Sequence, residues 1–421
     1  MFNLAQTAEQ TALADALRQF GQRMIRPLMT HGGTPSQVDL DPVWRELHAM
    51  GLTVPVDEEH GGQGVPDPGT AALFAEEIGF ADPGVGLDLV SRYRAAAMID
   101  VLGDVGQRRA HLPGLLAGSG AGVAYYEGFG RTPLELRTTA RRTVRGGWEL
   151  TGSKIGVTRP EDLQVVVAAD ATTGELLAFV LEPGTPGVVI TRDDAEVGKL
   201  GADAVRTGNI ELGRVVLPES ARLAGGYATG GDAVDGNVTD GDTTGGLAAG
   251  GDAAGGDAAG GDVTGGDATG GDATGGLAVH RQVAALRLGV AAVLLGTARA
   301  ELAYAADYAN TRVAFGQPIA AYQGVAFPLV EADMEIDTSR LLLWKAALDI
   351  EKLTEIGGIV TRTADVVARC HKTALEAGRH GINTLGGHGF ISDHPLEQWH
   401  RGSASLAGLD FDPLETDCVV L

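Results

Sequence analysis

A low-complexity stretch divides this chain and limits what can surround it. From Gly225 to Gly276 the sequence holds nine aspartates and neither Lys nor Arg. From Gly250 to Thr274 it repeats five residues at a time: GGDAA, GGDAA, GGDVT, GGDAT, GGDAT. So little apolar surface cannot offset the entropy lost on ordering a backbone. Residues 225–276 are therefore expected to form a flexible, negatively charged insert, and each flank must build a core without them. The stretch lacks the GGxGxDxUx pattern of calcium-binding repeats, so no metal site is expected.

The two flanks differ in texture. Residues 1–118 carry apolar side chains at helical spacing, first over Ala8 to Ile25 and then at Trp44, Leu47, Met50 and Leu52. A glycine-rich loop, His60-Gly61-Gly62-Gln63-Gly64, precedes a helix containing Phe74, Glu76, Glu77 and Ile78; it reads as a helix-to-helix turn rather than a phosphate cradle. Residues 119–224 switch to short β-branched runs separated by turn residues, such as Val165-Val166-Val167 and Leu177-Ala178-Phe179-Val180. From 277 to 421 helical spacing returns. Helix, sheet, helix in that order predicts an α+β protein with an N-terminal helical domain, a middle β-domain and a C-terminal helical bundle.

Several function classes drop out. No strand–glycine loop–helix unit with a downstream acid marks a Rossmann site. Gly147-x4-Gly152-Ser153-Lys154 has P-loop spacing but the wrong Lys/Ser order, so it is set aside. Subtracting the insert's nine aspartates from a net charge of −23 leaves −14, too acidic for a nucleic-acid footprint. Arg137, Arg141, Arg142 and Arg145 read as a solvated strand or turn surface. Cys370 and Cys418 alone make no disulfide framework. The longest apolar run, Val283 to Leu295, is broken by Arg287 and reads as a buried helix, with no span long enough for a membrane. MFNLAQTAEQ shows no secretory pattern, so a cytoplasmic location is expected.

Two motifs carry the chemistry. Arg312-Val313-Ala314-Phe315-Gly316-Gln317-Pro318 with Gln323 follows a long Ala-rich helical run, and Leu385-Gly386-Gly387-His388-Gly389-Phe390 lies downstream. Together with Trp44, Gly51-Leu52, Pro55, the His60–Gly64 loop and Glu76-Glu77, they resemble the acyl-CoA dehydrogenase family over nearly the whole chain. The resemblance implies an FAD-dependent oxidoreductase whose C-terminal domain is a four-helix bundle. The implied assembly is a homodimer or tetramer, with the FAD diphosphate contacting a neighbouring subunit. On that basis Arg312 pairs with pyrophosphate, suiting a guanidinium fork; Phe315 packs nearby and Gln323 hydrogen-bonds. Gly386, Gly387 and Gly389 let backbone N–H groups approach the diphosphate. Asn383 stands where the family commonly has glutamine.

On the flavin-ring side the pattern departs. The family's TEPxAGSD-like stretch falls on Tyr125–Thr132, with Gly130 the one clear match. Its tryptophan and threonine fall on Gly156 and Thr158, so an aromatic wall is lost and a hydroxyl survives. Tyr125, Tyr126 or Phe129 could supply stacking. Arg131 would add positive charge near the substrate, and Arg287 would order the site or contact substrate. The resemblance implies α,β-dehydrogenation of an acyl-CoA or acyl-carrier thioester, a carboxylate removing the α proton while hydride passes to flavin N5. Nine residues beyond Arg401 the base position falls on Asp410, one methylene shorter than the usual glutamate; the alternative base position is Leu286. The implied oxidant is an electron-transferring flavoprotein. A Gly/Ala-rich, Lys-poor composition suits a high-GC, actinobacterial-like source, where heteromeric relatives handle bulky steroid side-chain thioesters. The alternative expectation is a non-catalytic partner subunit that completes the FAD site of a second dehydrogenase-like chain.

Overall fold

A computed structural model describes residues 6–29, 40–128, 136–192, 202, 204–223 and 273–410. The repeats from 225 to 272 lie outside the described residues. The N-terminal helices are α1 (Ala8–Phe20), a π turn (Gly21–Ile25), α2 (Arg26–Met29), α3 (Asp41–Ala49), α4 (Pro68–Ala81), α5 (Pro83–Leu102) and α6 (Val105–Leu116). Local chemistry sets their starts. Asp82, buried ahead of Pro83, accepts from the N–H groups of Gly84 (2.8 Å) and Val85 (3.0 Å), satisfying two donors at the head of α5.

The middle region is one seven-stranded sheet: β1 (Ala121–Ala124), β2 (Thr139–Arg142), β3 (Trp148–Thr158), β4 (Leu163–Asp170), β5 (Leu176–Leu181), β6 (Val188–Arg192) and β7 (Thr207–Leu217). Its order is β1-β4-β2-β3-β7-β6, with β5 against β4. β1 and β2 run parallel to β4, and the other pairs are antiparallel. Trp148, Phe179 and Ile210 fill its inner face, and β5 is buried at all six positions. The apolar runs Val165–Val167 and Leu177–Val180 fall within β4 and β5.

The chain returns to helix at α7 (Ala273–Thr311), which therefore begins inside the Gly/Asp-rich stretch. A hairpin of β8 (Val313–Ala314) and β9 (Gln317–Pro318) leads to α8 (Gln323–Ile350), α9 (Ile356–Leu385) and α10 (Leu396–Asp410). These four helices form the bundle, and α7 also packs on α4 and α5. α7 is apolar and long enough to cross a membrane, but 83% of that window is buried inside the fold, so it is the core helix.

Two devices join the helical regions. The first is a polar knot: Glu76 accepts from Arg299 (2.6 Å) and Arg340 (2.9 Å), while Glu77 accepts from Arg18 (2.9 Å) and Arg299 (3.0 Å). Both carboxylates are buried, which is tolerable only because each has cationic donors. The second is close backbone approach. A Cβ at Gly296 would overlap the Glu76 carbonyl oxygen, so α4 and α7 touch only because that side chain is missing. Gly296→Ala should destabilise the fold by about 3 kcal/mol through overpacking, read as a lower urea midpoint with an unchanged m-value.

Candidate active site

Two separate regions carry the expected site residues. The first lies where α7 ends. Ile319 N–H donates to the Arg312 carbonyl at 2.9 Å, closing the β8–β9 hairpin. The turn itself is Phe315-Gly316, with φ of 51° and 88°. Glycine suits that region; a bulky aromatic does not and stores strain there. The Phe315 ring is 98% exposed, edge-on to Tyr322. Arg312 and Gln323 are exposed as well, and Arg312 makes no side-chain hydrogen bond or ion pair among the described residues.

The glycine loop comes to the same end of α7. Tyr308, one turn before Arg312, is hydrogen-bonded through its hydroxyl to His388 Nδ1 at 2.9 Å. Gly386 has φ 59°, and nothing lies within 4 Å of where side chains at Gly386 or Gly387 would project. Gly389 is different: a Cβ there would sit 2.7 Å from the Ile382 carbonyl, so the loop's closure requires glycine. Asn383 is exposed one turn before the loop. A guanidinium unpaired among the described residues and open glycine backbone, both at this end of α7, are groups suited to a diphosphate.

The second region lies between the sheet and the bundle. Asp410 is the last residue of α10. Arg287 Nε donates to both its oxygens, at 2.8 Å and 3.1 Å, and both side chains are 3% exposed. Burial pushes the Asp410 carboxyl up, and Arg287 opposes that push without cancelling it. Tyr125 and Tyr126, both buried, meet edge to face at 5.2 Å. Burial raises both phenols, so both rings stay neutral. His371 is held neutral by burial and by Arg287, its pKa pushed down to about 3. Thr158, at the end of β3, has a buried hydroxyl with no hydrogen-bond partner; so does Tyr126. Arg131, with Phe129 and Gly130, lies outside the described residues.

Two features here escape a reading of the sequence. Lys154, set aside with the P-loop look-alike, is fully buried on β3 and donates to Glu127 Oε1 (2.7 Å) and the Tyr125 carbonyl (3.1 Å). Burial lowers its pKa to about 8, against the pull of Glu127. Glu127 also accepts from the backbone N–H groups of Arg137 (2.6 Å) and Thr138 (3.0 Å). Lys154 thus pins the Tyr125–Glu127 segment from beneath. The second feature is Leu409: a Cβ at Gly156 (φ 59°) would overlap its side chain. Leu409, the residue beside Asp410, fills the space into which a side chain at position 156 would project.

Sequence models of the acyl-CoA dehydrogenase N-terminal and C-terminal domains match residues 7–119 and 274–408. The chain belongs to the acyl-CoA dehydrogenase family. It is 26% identical over 408 residues to an acyl-CoA dehydrogenase of Bacillus subtilis (strain 168), covering 94% of this chain and 92% of that one. It is 27% identical to the short-chain-specific enzyme of Megasphaera elsdenii, covering 95% and 93%. The solved butyryl-CoA dehydrogenase of Megasphaera elsdenii superposes with a TM-score of 0.74 at 23% identity, over 98% of this chain and 97% of that one. Acyl-CoA dehydrogenases are FAD-dependent oxidoreductases, and the chain's own residues can be tested against that cofactor. Arg312, which makes no side-chain hydrogen bond or ion pair among the described residues, and the open Gly386-Gly387 backbone are chemically suited to its diphosphate. On the ring side, the unpartnered hydroxyls of Thr158 and Tyr126 offer hydrogen bonds, while Leu409 narrows the space beside Gly156.

Proposed function

We propose that this acyl-CoA dehydrogenase-like oxidoreductase carries out α,β-dehydrogenation of an acyl-CoA or acyl-carrier thioester, with Asp410 accepting the α proton. The buried Asp410–Arg287 pair carries this reading. A carboxylate raised by burial is a stronger base than a solvated one, and a base works best when its pKa approaches the operating pH. A carboxylate also has about four lone-pair sites, so a single bifurcated Nε–H leaves room for a proton. Arg287 would fix the direction of the carboxylate, and the neutral Tyr125-Tyr126 wall would keep water away. Bound FAD would supply the acceptor for the β hydride. Arg312, Gln323, Asn383 and the Gly386–Gly389 backbone would hold its diphosphate, and Thr158 would donate to its ring.

The diphosphate elements are solvent-facing on this chain, and exposed Phe327, Val330, Met334 and Leu341 form a stripe along the adjoining α8. A stripe at that spacing, with the strained Phe315 beside it, marks a surface for a second chain. The assembly proposed is a homodimer, a tetramer or a heteromer in the cytoplasm, with an electron-transferring flavoprotein as oxidant. Leu409 against Gly156 supports a second reading: a partner subunit that contributes Arg312 and the glycine loop to another chain's FAD without catalysing. The visible spectrum of protein expressed alone separates them. An enzyme purifies yellow and bleaches anaerobically with acyl-CoA; a partner subunit is colourless until a second dehydrogenase-like chain is co-expressed. In either case Arg312→Ala should weaken FAD binding roughly 10- to 100-fold, the worth of one or two charge-assisted hydrogen bonds. The melting temperature of the flavin-free protein should not move, because Arg312 is exposed; flavin titration of the assembled protein reads the affinity and a flavin-free thermal melt reads the stability.

A further inference from the structure

A cavity of about 1010 Å³ opens between α4, α5, α7 and α8, large enough for a drug-sized ligand. Its wall is mainly apolar, with Ala75, Val90, Leu288 and Ile350 among its lining. Arg94 of α5 also lines it. Arg94 is half-buried and makes no hydrogen bond or ion pair with any described residue. Its guanidinium carbon lies 4.8 Å from the centroid of the neighbouring Tyr93 ring.

The cavity's other charged groups are engaged or exposed. Arg281 Nη2 donates to the Leu353 carbonyl at 2.9 Å. Asp100 pairs with His60 Nδ1 at 3.1 Å. Asp57 and Glu351 are exposed. Burial depresses the Arg94 pKa, and Tyr93 and Glu351 pull it back only in part. A cation half-withdrawn from water without an anion is costly, so such an arrangement is worth keeping where a ligand brings the anion. The Gln282 Oε1, buried and without a hydrogen-bond partner, lines the same cavity and can accept from a ligand hydroxyl or amide.

We propose that this cavity binds an aliphatic carboxylate, its chain against the apolar wall and its anionic end on Arg94. The carboxylate can belong to a free acid or to the far end of a carboxyacyl thioester; the second source rests on the acyl-thioester reading above. Calorimetric titration of the full-length protein with octanoate and with octanamide tests the shared chemistry without flavin or thioester. Octanoate is expected to bind at least about tenfold more tightly, the worth of one charge-assisted contact. Arg94→Met should erase that preference and Arg94→Lys keep most of it. Equal binding of the two ligands, no binding of octanoate, or an unchanged preference in Arg94→Met would overturn the proposal. The comparison on the unsubstituted protein decides even where a variant fails to fold. A thioester series then identifies the source. If 7-carboxyheptanoyl-CoA binds more tightly than octanoyl-CoA, and Arg94→Met closes the gap, the carboxylate belongs to the acyl group. Equal binding of the two thioesters, with octanoate still preferred over octanamide, assigns the site to a free acid.

Discussion

Asp410→Asn should slow anaerobic flavin bleaching by acyl-CoA by about 10²- to 10⁴-fold, the usual contribution of a positioned general base. Asparagine preserves the shape and can still accept from Arg287 Nε, but its amide cannot take an α proton. The substitution also leaves the Arg287 guanidinium facing a neutral partner in a site where both side chains are 3% exposed. Stability must therefore be followed alongside the rate. A large drop in rate with flavin still bound and a cooperative melt would place the base at Asp410. Bleaching at the normal rate would sink that assignment. Asp410→Glu sharpens the result, because the longer acid tests whether the aspartate is short of its target. A shift of about 1 Å can cost roughly 100-fold, so a faster Glu variant would mean that Asp410 is held back, while a slower one would mean that the site is built around aspartate.

The parts of this fold legible in the sequence are those governed by periodicity. The apolar run Val283 to Leu295 reads as a buried helix because Arg287 interrupts it, and it forms the middle of α7. The resemblance casts Gly386–Phe390 as a phosphate-approach loop; Gly386 and Gly387 stand open, while Gly389 is needed to close the loop against Ile382. The contacts that shape the ring side are not legible, because they join residues far apart in the chain. Leu409 meets Gly156, Lys154 meets Glu127, and Arg287 meets Asp410 123 residues away. A lysine at an inward position of a strand is the one signal that could have exposed the Lys154 anchor, since a buried lysine demands a carboxylate. Arg94 gives no such hint. It sits on α5 among apolar neighbours and becomes notable only when its lack of a partner is seen.

Arg287→Met should cost about 3–5 kcal/mol at neutral pH, the penalty for leaving one member of a buried ion pair unmatched. Methionine fills a similar volume with a flexible apolar chain, so the loss should reflect charge rather than a cavity. Its pH dependence discriminates between those causes. Burial already raises the Asp410 carboxyl, and Arg287 is what opposes it. Without the arginine, the folded-state pKa climbs further above the unfolded value near 3.9. A group shifted up in the folded state gives its full stabilising contribution below the unfolded pKa and loses it as pH rises through the folded one. The deficit of the variant relative to the unsubstituted protein should therefore be largest around pH 7 and shrink as pH falls toward about 4. Burial, the larger cause of the depressed His371 pKa, remains in the variant, while the smaller push from Arg287 is lost. Urea unfolding at pH 7.0, 5.5 and 4.5 measures the effect. A deficit that stays constant across those three values would mean that Arg287 matters for packing and that Asp410 is already protonated beside it. That result would remove the carboxylate from the list of working bases, since a protonated acid cannot accept the α proton.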